Sequence, residues 1–448
     1  MSARDPSPEP LRVLFGGQDA ERAWDPAARH VFPELPGGNS GTVLASADEL
    51  LLLSARSADE VLCSRRPPDA LLRRLRDLGC AARATAVPGD PGIPVERRIA
   101  DGALTPGHAR GRTAVPYAVV TDTAEAVRSL GAADATVPLA VAAHVNSKMW
   151  SNGFCRSRGL AGAAAVARTE AELHAAAAAV EGPLVLKSPY GVAGRGAAVV
   201  RDRRQLVVFA RRLAALAALA ESGTPGEAEG GGLLVQPLYR RALDFSAHLD
   251  VRHDGTVVLA GFRGMTNRGL TFSSSDGLAP EGRRRLEDDE AYGSVLWDLG
   301  RELFRAGYHG PVSVDGLITE DGVMVPVLDV NARLSLGRFG LDLQERCAGR
   351  CALVGLHAVP VRVGVPYEEA DALIDRALAA AGLHWDGTTR PGITALTGGT
   401  LQGPVGRLYF AVHSATAEEG RDMARAARET LAASPPAAPL VSVRGVAP

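Results

Sequence analysis

Residues 310–333, GPVSVDGLITEDGVMVPVLDVNAR, carry two strand-forming runs, about 312–319 and 323–331, on either side of Glu320-Asp321-Gly322. A three-residue loop with glycine in the left-handed position is a favoured hairpin connection. With that loop, Thr319 faces Val323 and Asp315 faces Val327. Side chains alternate along a strand, so Val327, Asp329 and Asn331 share a face with Asp315. A two-residue turn at Asp321-Gly322 would reverse the parity and separate the acids, which makes the register a sharp test. The neighbours Val314, Leu317, Leu328 and Val330 are apolar, and carboxylates among them need a partner or a metal. Two carboxylates and an amide oxygen are hard ligands of the kind Mg2+ takes, leaving its other positions to water and phosphate oxygens. The competing reading is a solvated polar face.

Composition narrows the classes. The chain has 448 residues with 46% hydrophobic and 22% charged, an ordinary globular balance. Its length allows roughly two to four domains. Forty-nine basic against fifty-one acidic residues leave a net charge of −2, without the basic surplus of a nucleic-acid binder. No segment approaches the roughly 18 apolar residues of a membrane span. The opening MSARDPSPEP has acids and prolines where a signal peptide has a basic and then an apolar stretch, so residues 1–10 read as a tail. The cysteines, Cys63, Cys80, Cys155, Cys347 and Cys351, are odd in number and form no CxxC. Reduced thiols in a cytoplasmic protein are the simplest account. Cys347 and Cys351, four apart, look like half a metal site, but no His/Cys pair of matching spacing accompanies them.

The chain opens on an apolar strand, Leu11–Phe15, ending at Gly16-Gly17, with further strands expected at Thr42–Ala45 and Ala84–Val87. Leu71, Leu72, Leu75 and Leu78 predict a helix over Asp69–Leu78 in a βαβ-like beginning. Gly16-Gly17 is not GxGxxG, and nothing there supports a dinucleotide site. A second region starts near Asn146. Thr169 and Glu172 form a capping box before a helix to Val180. Leu206, Phe209, Leu213 and Leu216 stripe a helix over Arg203–Ala220, followed by a low-complexity stretch, 221–232, read as a mobile loop. Leu233–Gln236 is a strand, and Phe245–Val251 with Thr256–Gly261 a hairpin about Asp254-Gly255. Helices are expected around Tyr292–Leu303, over Tyr367–Ala381 and over Ala417–Ala432, with a Gly/Thr-rich stretch at Arg390–Gly403 and a strand at Arg407–Val412. This is an α/β (α+β) pattern. It divides into an N-terminal α/β domain (1–145), two central subdomains (146–235 and 236–347) and a small C-terminal α+β lobe (348–448).

The second chemical signal is PLVLKSPYGVAGRGAAVV. A strand delivers Lys187, a turn rich in glycine follows (Gly191, Gly194, Gly196), and a strand returns. Glycines let backbone approach an anion closely and aim amides at phosphate oxygens. The turn joins two strands and lacks GK[ST], so it is not a Walker loop.

Taken in order from about 146 to 340, these segments resemble the ATP-grasp superfamily. The resemblance implies the ATP-grasp fold, with 1–145 as its pre-ATP-grasp domain. It implies that Lys148, in NSKMW, and Lys187 contact the phosphates of ATP beside the glycine loop. It implies that Gln236, Pro237, Leu238 and Tyr239, in LLVQPLYRRALDFS, form the hinge against adenine, with Asp244 the ribose acceptor. It implies that Asp315, Asp329 and Asn331 bind one or two Mg2+ ions, with Arg333 near the transferring phosphoryl group. Gln236 and Asp329 stand where the family commonly has Glu, and a shorter carboxylate bridges two ions less readily. The extended N-terminal lobe, NSKMW and the Gly/Thr-rich C-terminal lobe resemble the pheganomycin-type peptide ligases, which join an unusual acid to a peptide amine in antibiotic assembly.

That family chemistry makes ATP convert a carboxylate into an acylphosphate, which an amine attacks to give an amide, ADP and phosphate. Positioning and charge neutralisation suffice for phosphoryl transfer. Expected partners are a small carboxylic acid and an amino acid or peptide amine, with no nucleic acid and no membrane; a homodimer is a family-level expectation. Arg263 and Arg268, in GFRGMTNRGLTFSSSDG, and Arg338, in a turn after the metal strand, are candidates to hold a substrate carboxylate. The stretches 221–232 and 264–283 are candidate lids. Two alternatives stand: another ATP-grasp enzyme, such as a carboxylase or an amino-acid ligase of primary metabolism, and a non-catalytic ATP-binding protein. No biotin-carrier motif accompanies the first.

Overall fold

The computed structural model describes residues 10–17, 20–24, 41–191, 196–221, 232–432 and 441–443. These fall into two compact units, one drawn from 1–19, 39–137 and 342–448, the other from 20–38 and 138–341.

The first unit begins with a parallel sheet of β1 (Arg12–Phe15), β2 (Glu60–Cys63), β3 (Arg83–Ala86) and β4 (Thr113–Pro116), in the order β3-β2-β1-β4. Parallel neighbours require crossovers; the helix Asp69–Asp77 supplies one, burying Leu71 and Leu75 as their spacing predicts. Val13, Phe15 and Leu62 pack with Val95, Ile99 and Leu130 from the helices Val95–Ala100 and Thr123–Leu130. The strand expected at Thr42–Ala45 is instead part of a helix, Gly41–Ala45, running into a 3-10 segment, Ser46–Leu53. A four-residue apolar run carries no period that separates strand from helix.

That 3-10 segment is buried throughout and holds Glu49, whose carboxylate accepts the amides of Gly398 (2.8 Å) and Gly399 (3.1 Å). Burial pushes the Glu49 carboxyl up to about 7 despite those amides. Between the ordinary carboxylate range and pH 7 the unfolded chain therefore loses a proton that the folded chain keeps. The contribution of this group to stability is present at low pH and is lost as pH rises through about 7. Glu49→Gln is expected to flatten the decline in thermal midpoint between about pH 4.5 and pH 7, by an amount equivalent to about 3 kcal/mol at most. Parallel pH–melting curves for the two proteins would refute this.

The second unit holds two antiparallel sheets. The smaller contains β5 (Ala165–Ala167), β6 (Leu184–Lys187), β7 (Ala197–Val200) and β8 (Leu233–Pro237), in the order β5-β8-β6-β7. The helices Glu170–Ala178, opened by the Thr169/Glu172 capping box, and Leu206–Glu221 cover it, burying Leu173, Ala177, Leu206 and Leu213 against Leu184, Leu186 and Val235. Most of the low-complexity stretch, 222–231, lies outside the described residues.

The larger sheet of this unit orders as β13 (Met324–Asn331), β12 (Gly310–Thr319), β9 (Arg241–Val251), β10 (Val257–Arg268) and β11 (Thr271–Asp276). The helix Glu290–Arg305 backs it, with Tyr292 edge-on to Phe245 at 5.6 Å. Gly300 lets that helix approach closely, since a Cβ there would lie 2.6 Å from the Val257 methyls. The 264–283 stretch, expected as a lid, is largely the β10–β11 hairpin and the start of a helix, Pro280–Glu287.

The first unit closes with a second sheet, antiparallel, of β14 (Leu353–Val363), β15 (Gly392–Ala395), β16 (Val405–Ser414) and β17 (Val441–Val443), ordered β15-β16-β14-β17. The helices Tyr367–Ala380 and Ala417–Ala432 bury Ile374, Leu378, Ala427 and Leu431 with Val361, Leu408 and Phe410. Among the described residues no helix is long and apolar enough to cross a membrane.

Candidate active site

The β12–β13 hairpin begins in the expected register: the Thr319 amide donates to Val323 O (3.0 Å), and Leu317 pairs with Val325. It then departs. Asp315 faces Asp329 directly, not Val327, because Pro326, Val327 and Leu328 together span the position opposite Gly316. Proline cannot donate to a ladder and is confined to bulges and edges. Gly316 makes the bulge possible, since a Cβ there would meet the Phe245 ring at 2.7 Å and Val325 O at 3.0 Å. The bulge shifts the register by two, which keeps the parity. Asp315, Asp329 and Asn331 therefore still share a face, and Asn331 Nδ2 donates to Asp315 Oδ2 (3.4 Å).

Onto this face the smaller sheet and the preceding helix bring the cations. Lys148 opens the helix Lys148–Ser157, capped by Ser147, and its ammonium is ion-paired with Asp329. Its own amide donates to Pro189 O (2.8 Å), fixing the helix start against the glycine loop. Lys187 ends β6 with its ammonium 3.5 Å from Leu328 O, and burial pulls it down to about 8 against the attraction of Asp329. Burial, and then the charge of Asp329, push the Asp315 carboxyl up to about 7. Two carboxylates with an amide oxygen on one face are donors that could hold a hard divalent ion.

Arg333 is nearly buried, donating to Asn331 Oδ1 (3.0 Å) and Leu334 O (3.3 Å) and ion-paired with Glu21 of the helix Ala20–Trp24. Asn146 holds the backbone between these two site residues. Its Nδ2 donates to Ala332 O (3.3 Å) and its Oδ1 accepts the Ala332 amide (2.9 Å). Sequence reasoning missed both Glu21 and Asn146. No motif marks Glu21, which lies 312 residues from the arginine it holds, and Asn146 reads as an ordinary helix end. Asn146→Ala is expected to lower kcat about tenfold with little change in KM, because it removes a pair of buried bonds worth roughly 1–3 kcal/mol and loosens Asn331 and Arg333 together. A fall in thermal midpoint with kcat unchanged would show Asn146 to be structural only.

The glycine loop closes through the Ser188 amide on Gly196 O (2.7 Å). Gly196 has φ +74°, and a Cβ there would lie 2.4 Å from Ser188 Oγ and 2.8 Å from Tyr190 O, so only glycine fits. Gly191 is described, whereas Gly194 lies outside the described residues. Lys148, Lys187, Gln236, Asn152, Cys155 and Val327 line one cleft between the two sheets of this unit.

Of the residues expected as the hinge, Gln236 lines this cleft, and Pro237, Leu238 and Tyr239 follow it directly in the chain. The Gln236 side chain donates to Gly162 O, and the Leu238 amide donates to Pro183 O (3.0 Å), so neither group is available to a base. Asp244, on β9, accepts from Arg241 (3.2 Å) and Asn267 (3.3 Å).

The other arginines fare differently. Arg263 is fully buried on β10, bonded to Ser275 O (2.7 Å) and Ser275 Oγ (3.2 Å) and packed against Gly340. It has no exposed surface to offer a substrate, which corrects its assignment as a carboxylate holder. Arg268 is exposed at the end of β10, beside the tight turn into β11. Arg338 lies on a helix, Leu336–Arg346, where a turn was expected; its amide donates to Ser335 Oγ (3.2 Å) and its guanidinium to Asp250 (2.8 Å).

No protein-family model matches the chain. A curated relative, the [Butirosin acyl-carrier protein]--L-glutamate ligase of Niallia circulans, is 24% identical over 333 residues, covering 71% of each chain. An N5-carboxyaminoimidazole ribonucleotide synthetase solved as its ADP complex superposes with TM-score 0.54 at 11% identity, over 95% of this chain and 98% of that one. The biotin carboxylase of Campylobacter jejuni gives TM-score 0.53 at 11% identity, over 97% and 92%. The biotin carboxylase domain dimer of the Hydrogenobacter thermophilus 2-oxoglutarate carboxylase, in complex with MgADP, gives 0.52 at 14%, over 94% and 90%. The α+β architecture is the ATP-grasp fold, shared with these solved synthetases and carboxylases.

Proposed function

We propose that the chain is an ADP-forming carboxylate–amine ligase that activates a carboxylic acid as its acylphosphate and couples it to an amino acid or peptide amine. The observation that carries this is the face on which Asp315 meets Asp329 beside Asn331, with Lys148, Lys187 and Arg333 around it. A site for nucleotide storage needs the phosphate-binding lysines; paired acids next to them add the means to bring divalent charge to a transferring phosphoryl group. Asp315, Asp329 and Asn331 would hold Mg2+, which when bound neutralises charge on the phosphates and the transferring group. Lys148 and Lys187 hold phosphate oxygens as point charges, and Arg333 presents a planar fork whose orientation Glu21 and Asn331 fix. After amine attack, the same donors stabilise the tetrahedral oxyanion. The backbone at Gly191 and Gly196 borders the phosphates, Tyr239 supplies hinge contact to adenine, and Asp244 accepts from the ribose.

The curated relative supports the ligase class, and its name supports a second arm in which one substrate is carried on an acyl-carrier protein. Likeness to pheganomycin-type enzymes in NSKMW and the terminal lobes supports a reaction in specialised peptide assembly, carried out in the cytoplasm. The dimeric carboxylase domain among the neighbours supports a homodimer.

The test is nucleotide product from the purified chain with ATP, Mg2+ and pooled acids, with and without pooled amino acids, short peptides and an acyl-carrier protein. ADP rising only when an acid and an amine are both present is the expected result. AMP and pyrophosphate would overturn the acylphosphate route. ADP formed with bicarbonate as the sole acid would move the chain to the carboxylases.

A further inference from the structure

The first unit carries a cluster that the nucleotide site does not use. Cys347 Sγ, Cys351 Sγ and a ring nitrogen of His413 lie within 4.8 Å of one another, with Cys347 and His413 buried and Cys351 half-buried. Sixty-two residues separate Cys351 from His413, and backbone pairing brings them together. Ala352 donates to Ser414 O (3.2 Å), and Val354 pairs with His413, which pairs with Gly392 on its other side. The Cys347–Cys351 turn is set by the Cys351 amide on Cys347 O (3.2 Å), directly after the helix Leu336–Arg346.

The histidine is held for coordination. Its ring stacks on Trp385 with centroids 3.8 Å apart and planes 12° from parallel. Nε2 is 3.1 Å from Thr394 Oγ1, while Nδ1 is 3.8 Å from Cys351 Sγ. If Nε2 gives its proton to the Thr394 hydroxyl, the Nδ1 lone pair faces the sulfur, which is the tautomer a metal needs. Arg350, stacked over Trp385 at 5.1 Å, donates to Cys347 Sγ at 3.9 Å and fixes that sulfur beside the histidine. A tetrahedral zinc with bonds of about 2.3 Å to sulfur and 2.0–2.1 Å to nitrogen holds its ligand atoms roughly 3.4–3.8 Å apart. The cluster needs only a slight contraction to reach that spacing.

We infer that Cys347, Cys351 and His413 bind one Zn2+ ion, with Thr394 as the positioning residue for the histidine and a fourth position open to water. The sequence hides this site because two ligands are local and the third arrives only through the β14–β16 pairing. The ion would pin the Cys347–Cys351 turn to β16.

The full-length chain, purified from zinc-supplemented medium and dialysed into Mg2+ buffer, is expected to keep one zinc per chain. Replacement by Co2+ should give tetrahedral d–d absorption and a thiolate-to-cobalt charge-transfer band, which Co2+ bound to the oxygen ligands of Asp315, Asp329 and Asn331 cannot give. Zinc should shield the half-buried Cys351 from alkylation, and a chelator should release it. Cys351→Ser should abolish the charge-transfer band. Thr394→Val preserves shape and guards against misfolding; it should weaken zinc binding by about 10–100-fold, the usual effect of losing an outer-shell partner. Absence of retained zinc and of the cobalt–thiolate band, or the same band in Cys351→Ser, would overturn the site, and unchanged affinity in Thr394→Val would overturn the positioning role of Thr394.

Discussion

Asp329→Ala is expected to lower turnover by about a thousandfold or more while leaving the thermal midpoint of the nucleotide-free chain within a few degrees of the parent, a loss on the scale of removing preorganised charge from a transfer site. The two effects separate because the site opposes itself when empty. Asp329 faces Asp315, and its charge helps push that neighbour up to about 7. Removing it relieves the repulsion even as it deprives Lys148 of its ion pair. With ATP and Mg2+ present the balance reverses, since the missing carboxylate takes a ligand from the cation. The parent should therefore show a thermal shift on adding ATP·Mg2+ that the variant largely lacks. Asp329→Asn, which keeps the shape and one neutral oxygen, should recover part of the shift and little of the turnover. Near-normal turnover in the alanine variant would overturn the metal assignment.

The register of this hairpin shows how far the residues alone carry the reading. Alternation and the Glu320-Asp321-Gly322 turn placed Asp315, Asp329 and Asn331 on one face, because parity survives any even shift. They gave Asp315 the wrong partner, because a bulge is decided by what lies across the strand. Pro326 marks the break in the donor ladder, but the close approach of Phe245 to Gly316 is a tertiary fact. The two strands expected on either side of the glycine loop, which have strong local signals, are present as β6 and β7. The helix Lys148–Ser157 was not foreseen although it carries a site lysine; its apolar residues are few and scattered. Arg263 was misread because its surroundings in sequence, GFRGMTNRG, look like a solvated loop. Twelve residues on, Ser275 pairs alongside and buries it. Glu21, Asn146 and His413 act on partners reached only through folding, and no local pattern announces any of them.

Lys187→Met is expected to raise the apparent KM for ATP by about 10–100-fold, the worth of a charge-assisted bond of roughly 1.5–3 kcal/mol, without lowering the thermal midpoint of the nucleotide-free chain. The second half follows from burial. Desolvation outweighs the pull of Asp329 and Asp315 and brings the ammonium down to about 8, so the folded chain holds this charge at a disadvantage. The sign in pH can be worked out from the same shift. Between about 8 and the ordinary lysine value near 10.5, the unfolded chain binds a proton that the folded chain has released. Stability from this group therefore rises with pH across that window, and below about 8 its full burden remains. ATP reverses the logic, because phosphate oxygens favour the charged form, so affinity for ATP should fall as pH climbs past 8 in the parent and stay flat in the methionine variant. A KM for ATP unchanged by the substitution would leave the Gly191–Gly196 loop as a structural turn. A sharp drop in the apo midpoint would show that Lys187 holds Leu328 O, and with it the bulge that brings Asp315 to Asp329.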